Sequence, residues 1–164
     1  MLENERSFLI TVMPDVSGAP MKEIAQHYLS DTKEPLRLRA ANGKFELTKK
    51  LTIDPTDRSR REEINVPLTE DEYRRLLPLA VRGLTKCRYH FPLPGGLTAE
   101  LDVFLGALEG FTKVEVEFPD DATRAAFQPP NWFGRDITQE FWSGNSWLAG
   151  KTFADVQRYL TQKV

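Results

Sequence analysis

The sequence predicts an α+β protein built on an antiparallel sheet or barrel, and three features predict it. Short runs of alternating apolar and polar residues recur along the 164-residue chain. Most are joined by hairpin-length connections, among them Asn42-Gly43, a strong two-residue hairpin signal. Helical patterns are confined to a few short stretches between the strands.

The elements follow in order. Residues 3–12 read as a strand, and residues 21–30 (MKEIAQHYLS) as a short helix after Pro20. PLRLRAA, the Asn42-Gly43 turn and KFELTKKLTI make a hairpin, and DPTDRSR a loop. EEINVPL is a strand. TEDEYRRLLPLA is a helix, because Thr69 and Glu72 stand at capping-box spacing. GLTKCRYHFPL and LTAELDVFLGAL are strands paired through the turn PGG, and TKVEVEF is another. DDATRAAF is a helix opened by acidic residues, FGRDIT a short segment, and TFADVQRYLTQKV a closing helix. No repeat and no linker divides the chain, so residues 1–164 are expected to form one domain.

Composition narrows the function classes. Hydrophobic residues make up 40% and charged residues 28%, the balance of an ordinary globular protein. A net charge of -2 argues against a general nucleic-acid or membrane-surface binder. One cysteine, Cys87, gives neither a disulfide nor a zinc-ligand pair. Charges at Glu3, Glu5 and Arg6 interrupt any apolar leader, and no run approaches a membrane span, so a cytosolic protein is expected.

The charged residues of the strands carry the chemistry. Residues i and i+2 of a strand share a face. Glu3/Glu5, Arg37/Arg39, Thr48/Lys50, Glu63/Asn65, Lys86/Arg88, Glu100/Asp102 and Glu115/Glu117 all have this spacing. Leu38, Cys87, Leu101 and Val116 lie between members of such pairs. A solvated face would explain polar alternation but would mix the signs. Here three pairs are wholly acidic and two wholly basic, and like charges held side by side are costly. A barrel answers both facts, with apolar side chains outward under helices and the charged face lining a wet interior. Paired Arg and Lys suit phosphate oxygens, and clustered carboxylates suit Mg²⁺ or Mn²⁺. Together they describe a metal–polyphosphate site. With no GxxxxGK[ST] loop in the chain, side chains must hold the phosphates.

These motifs resemble the CYTH family, the triphosphate tunnel metalloenzymes. ENERS at 3–7 is similar to the family's opening ExExK strand. LRLR, LTKK, TKCRY, ELDVF and VEVEF resemble its later strands in order, and WFGRDIT its C-terminal region. The resemblance implies an eight-stranded antiparallel tunnel barrel with flanking helices. It implies metal ligation by Glu3, Glu5, Glu115 and Glu117, with Glu63 and Asp102 nearby, and Mg²⁺ or Mn²⁺ as the cofactor. It implies that Arg37, Arg39, Lys50, Lys86 and Arg88 hold the phosphates. Tyr28 resembles a tunnel-mouth tyrosine that would orient water with Lys50. The activity implied is metal-dependent triphosphate hydrolysis on a polyphosphate, nucleoside triphosphate or thiamine triphosphate, in a protein compatible with a homodimer.

The chain departs from the pattern at three places. Ser7 stands at the lysine of ExExK, Gly144 and Ser146 at C-terminal lysines, and Asn65 at a second acid. Two rival functions follow: a weakly active or non-catalytic polyphosphate- or nucleotide-binding module, and an adenylyl cyclase of class IV type. The four retained glutamates favour the enzyme. Cys87 is expected to face outward, His90 to continue the Lys86–Arg88 face, the tryptophans to pack, and the DRSRR cluster at 57–61 to be a solvated loop.

Overall fold

The computed structural model describes residues 2–161. Five strands open the chain: β1 (Leu2–Ile10), β2 (Met21–Tyr28), β3 (Leu36–Ala41), β4 (Lys44–Asp54) and β5 (Asp57–Leu68). Helix α1 (Glu70–Leu76) leads to β6 (Arg82–Pro92), β7 (Thr98–Phe104) and β8 (Thr112–Glu117). Helix α2 (Asp121–Ala126), strand β9 (Phe133–Asp136) and helices α3 (Asn145–Leu148) and α4 (Phe153–Leu160) complete it. The strand order is β5-β4-β3-β2-β6-β7-β8-β1-β9, and β5 also pairs with β1. Eight antiparallel strands therefore close into a barrel, with β9 added on the outside of the β1 edge. The closing seam is short, with Leu2, Glu3 and Asn4 opposite Glu62, Arg61 and Arg60.

Several local expectations hold. Asn42 and Gly43 both take positive φ, as a type I′ hairpin requires. Thr69 and Glu72 form the capping box of α1, and Asp120 caps α2. The closing helix is present as Phe153–Leu160; residues 162–164 lie outside the described residues.

Two elements differ from expectation. Residues 21–30 do not make a helix: Met21–Tyr28 is a strand between β3 and β6. Ile24, Gln26 and Tyr28 are buried at alternate positions, and ladders on both sides satisfy the backbone. Good helix formers such as Met, Glu, Ala and Gln lose here to sheet pairing, because tertiary packing outweighs intrinsic propensity. The expected loop at 54–60 shrinks to Pro55-Thr56, where the Asp54 carboxylate accepts from the Thr56 N–H.

The interior is also not uniformly charged. At one end the inward residues Tyr28, Leu84, Phe104 and Phe111 pack against Trp142, Leu148 and Val156 of the C-terminal segment, which plugs the barrel. A second apolar cluster lies on the outer face. Phe8, Leu101, Val114 and Val116 are covered by Phe118, Phe127, Trp132 and Phe133 from the chain around α2 and β9. Cover is incomplete elsewhere, since Ile64 and Val66 on β5 are about half exposed (47% and 48%). Cys87 is free and partly buried.

Candidate functional site

Strand register places the charged pairs. Tyr28 lies opposite Arg37, Arg37 opposite Thr48, and Lys50 opposite Glu63. Glu3 faces Arg61, Glu5 faces Glu117, and Ser7 faces Glu115. Glu100 faces Glu115, and Asp102 lies between Arg88 and Lys113. Opposite residues of a ladder share a face, so these side chains form one inward ring. Some acids then face cations on the next strand, as Glu3 faces Arg61, Glu63 faces Lys50 and Asp102 faces Arg88, whereas Glu5 faces Glu117 and Glu115 faces Glu100, acid against acid.

Lys50 sits between two acids, donating to both oxygens of Glu3 at 2.6 and 2.8 Å, with Glu63 at 3.1 Å. Burial and Arg37 oppose its charge, but Glu5, Glu3 and Glu63 prevail, so its ammonium is held above its ordinary pKa. Burial raises Glu3 to about 7 against the pull of Lys50, while Lys50 helps bring Glu63 down to about 2 in spite of burial. Arg37 donates to Thr48 Oγ1 at 3.1 Å, Thr48 to Asn65 Oδ1 at 2.7 Å, and Asn65 to Glu63 Oε1 at 2.6 Å. Asn65 therefore relays between Glu63 and Thr48 where a second acid was expected.

On the opposite wall Arg88 joins three acids. It donates to Asp102 at 2.6 and 2.8 Å, to Glu115 at 2.6 Å, and to Glu100. Lys86 bonds Asp102, and neither side chain has any exposure. Burial works against the charge of Glu115, but Lys113 and Arg88 hold it well below the usual carboxylate range. Burial and Glu115 push Glu5 up. Arg39 pairs with Glu46 at 3.5 Å, and His90 Nε2 lies 3.5 Å from Glu100 on the Lys86–Arg88 face.

A pocket open to solvent at its mouth lies within this ring. Among the expected site residues it brings together Glu5, Tyr28, Arg37, Lys50 and Glu115. Glu3 and Glu63 stand behind Lys50 and set its position. Lys86, Arg88 and Asp102 do not line this pocket. Asp102, grouped with the metal ligands by resemblance, instead serves as the buried counter-ion of Lys86 and Arg88. Lys86, grouped with the phosphate binders, is sealed against Asp102 with its Nζ 5.5 Å from the Phe104 ring. Among the described residues no three carboxylate, imidazole or thiolate groups converge closely enough to hold an ion as the side chains stand. Glu3, Glu63, Asp102 and Glu115 are turned onto the cations of the wall.

Besides Lys33, which also lines the pocket, three cations escaped the sequence reading. Arg58 and Arg61 belong to the segment read as a solvated loop, yet both line the pocket. Inward alternation along an extended β5 would have found Arg61. The Arg58 guanidinium Nη2 lies 3.6 Å from where a side chain on Gly144 would begin, so a cation stands beside a position where a C-terminal lysine was expected. The third is Lys113, two residues before Glu115 and therefore on its face. Ser7 does face the interior, and its Oγ donates to Glu115 Oε1 at 3.4 Å. Among the described residues no helix is long and apolar enough to cross a membrane.

Comparison with known proteins places this geometry. No protein-family model matches the chain. It is similar to an inorganic triphosphatase of Nitrosomonas europaea, at 33% identity over 85% of this chain and 91% of that protein. It is also similar to an inorganic triphosphatase of Acetivibrio thermocellus, at 36% identity over 75% and 81% of the two chains. A crystal structure of an inorganic triphosphatase superposes with a TM-score of 0.67 at 32% identity, covering 90% of this chain and 93% of the other.

Proposed function

The chain belongs to the CYTH family of triphosphate tunnel enzymes, and from that premise we propose that it hydrolyses inorganic triphosphate in the pocket inside its barrel. The observation that carries this reading is the inward ring itself. Arg37, Lys50, Arg58, Arg61 and Lys113 meet Glu5 and Glu115 in one cavity, a lining that suits a polyanion carried with a cation. The two curated relatives are inorganic triphosphatases, which favours tripolyphosphate over an organic triphosphate.

The donor set fits a divalent metal. Glu5 lies opposite Glu117 and beside Glu3, and burial together with Glu115 makes its negative charge unfavourable. Hard oxygen ligands of that kind take Mg²⁺ or Mn²⁺, and Glu5 and Glu117 would hold the ion together with Glu3 turned away from Lys50 and Glu115 turned away from Lys113 and Arg88. Bound there, the metal would neutralise charge on the phosphate oxygens and polarise the reacting phosphoryl group. Arg37 presents a planar fork suited to two oxygens of one phosphate. Lys50, charged throughout the neutral range, adds a point charge and stabilises charge that develops as the bond to the leaving phosphate breaks. Tyr28, with its phenol kept protonated by burial, donates a hydrogen bond to the attacking water or to the terminal phosphate.

The test is phosphate release from tripolyphosphate, pyrophosphate, ATP and thiamine triphosphate, each with Mg²⁺ and with Mn²⁺. Tripolyphosphate should be cleaved fastest, and Glu5→Gln and Glu117→Gln should each abolish release. Equal release by either variant would refute the metal set. Binding of tripolyphosphate without cleavage under any metal would replace the enzyme with a binding module.

A further inference from the structure

Lys113 is a buried ammonium that the motifs do not single out and that the reading above counts in the pocket lining without giving it a contact of its own. Its side chain is almost fully enclosed, yet it lines the pocket with Glu5, Lys50 and Arg37. Its Nζ donates to Glu115 Oε1 at 2.6 Å and to the carbonyl oxygen of Ser143 at 2.9 Å. An ammonium has three donors, so a third remains for the cavity. The Ser143 carbonyl, on the segment that plugs the barrel, fixes the direction of the group.

A role limited to balancing Glu115 explains the position poorly. Arg88 Nη2 already donates to the other oxygen of Glu115 at 2.6 Å, so that carboxylate is paired without Lys113. Ser7 Oγ reaches the same Oε1 atom that Lys113 holds, at 3.4 Å. Ser7 and Lys113 therefore converge on one point of the wall, one from β1 and one from β8. Ser7 stands where the resemblance expects a lysine, and a positive charge reaches that point from the neighbouring strand instead.

We propose that Lys113 is a substrate-binding residue of the triphosphate pocket, supplying from β8 the cationic phosphate contact that Ser7 cannot supply from β1. This rests on the triphosphatase reading above and names one further contact of that site. When a polyphosphate enters, its oxygens take the third donor of Lys113, and Glu115, as one of the residues that would hold a metal, would then be free to leave Lys113 and Arg88. The relocation also explains how the chain tolerates Ser7.

The experiment measures tripolyphosphate binding by calorimetry without metal, and KM and kcat with metal, for four proteins. They are the wild type, Lys113→Met, Lys113→Arg and the double variant Ser7→Lys/Lys113→Met. Loss of one charge-assisted contact predicts a roughly 10- to 100-fold rise in Kd and KM for Lys113→Met. Lys113→Arg should stay within about 3-fold, and the double variant should regain most of the loss by returning the charge to β1. A folded Lys113→Met with a lower melting temperature and unchanged Kd would make the residue structural and overturn the proposal. If Lys113→Met does not fold, the double variant decides: binding close to wild type supports the contact, and binding more than 10-fold weaker overturns it. Wild-type protein that neither binds nor cleaves tripolyphosphate would instead sink the function reading. An active wild type with an indifferent Lys113→Met sinks this inference alone.

Discussion

Replacing Asp102 with Asn tests whether the far wall of the tunnel is an electrostatic scaffold. Asp102 is completely enclosed and accepts from Lys86 Nζ, from Arg88 Nε at 2.6 Å and from Arg88 Nη2 at 2.8 Å. Arg88 retains Glu115 and Glu100 in the variant. Lys86, also without exposure, loses the carboxylate it is bonded to. Removing one member of a buried pair costs about 3–5 kcal/mol, because the remaining charge is left in a poorly solvating site. For a chain of this length each kcal/mol lowers Tm by roughly 2–4 °C, so Asp102→Asn should melt roughly 6–20 °C lower. Lys86→Met in the same chain removes the stranded ammonium and should recover at least half of the loss.

The pH dependence carries a distinct signature. Burial, assisted by Arg88, already lowers Lys86 to about 8, with Asp102 the first group opposing the shift. Without Asp102 the value falls further. A base lowered in the folded state destabilises most below its folded pKa, and the penalty is relieved as pH rises toward its ordinary value. The Tm gap between Asp102→Asn and wild type should therefore narrow from pH 7 to pH 9. Differential scanning calorimetry across that range measures it. A single variant melting within about 2 °C of wild type, or a double variant no more stable than the single, would refute the reasoning.

Three further outcomes are expected. Lys50→Met should lower kcat/KM for tripolyphosphate by roughly 10- to 150-fold, one lost charge-assisted contact, in a phosphate-release assay. Its apo Tm should fall as well, since Glu3 and Glu63 would face each other without the ammonium between them. In wild type without metal, Tm should rise as pH falls from 7 toward 5, because Glu3 and Glu5 are raised acids whose cost at neutral pH disappears on protonation. Below pH 4 it should drop, because Glu63, Asp102 and Glu115 are lowered acids whose stabilisation is lost there; a monotonic fall from pH 7 would contradict the raised pair. Thr69→Ala, which removes the capping box of α1, should cost about 1 kcal/mol and roughly 2–4 °C. It should leave triphosphatase rates unchanged, because α1 contributes nothing to the pocket.

Much of this protein is legible in its residues taken locally. Period-two alternation determined which side chains share a face, because strand geometry sends i and i+2 the same way. The runs Glu3/Glu5, Arg37/Arg39 and Glu115/Glu117 thus announced a charged face before any strand was placed. Asn42-Gly43 and the Thr69/Glu72 box act over two to four residues, so their turn and helix start could be read directly. Residues 21–28 could not, because that stretch suits either period and only β3 and β6 on its two sides settle it.

Pairing across the barrel was decided by tertiary structure alone. Ser7 and Glu115 are separated by 108 residues and Lys50 and Glu3 by 47, and no local pattern assigns a partner over such distances. Register did so, and a shift of one residue would have sent every charged side chain to the other face. It sent Asp102 to Lys86 and Arg88 rather than toward the open pocket. It brought Arg58 to Gly144, and Lys113 to the point on the wall that Ser7 reaches from the neighbouring strand. The amino-acid sequence determined that the interior would be charged and what chemistry those charges suit. Closure of the barrel determined which charges neutralise one another and which remain for a ligand, because Coulomb energy depends on distance and burial, and both exist only after folding.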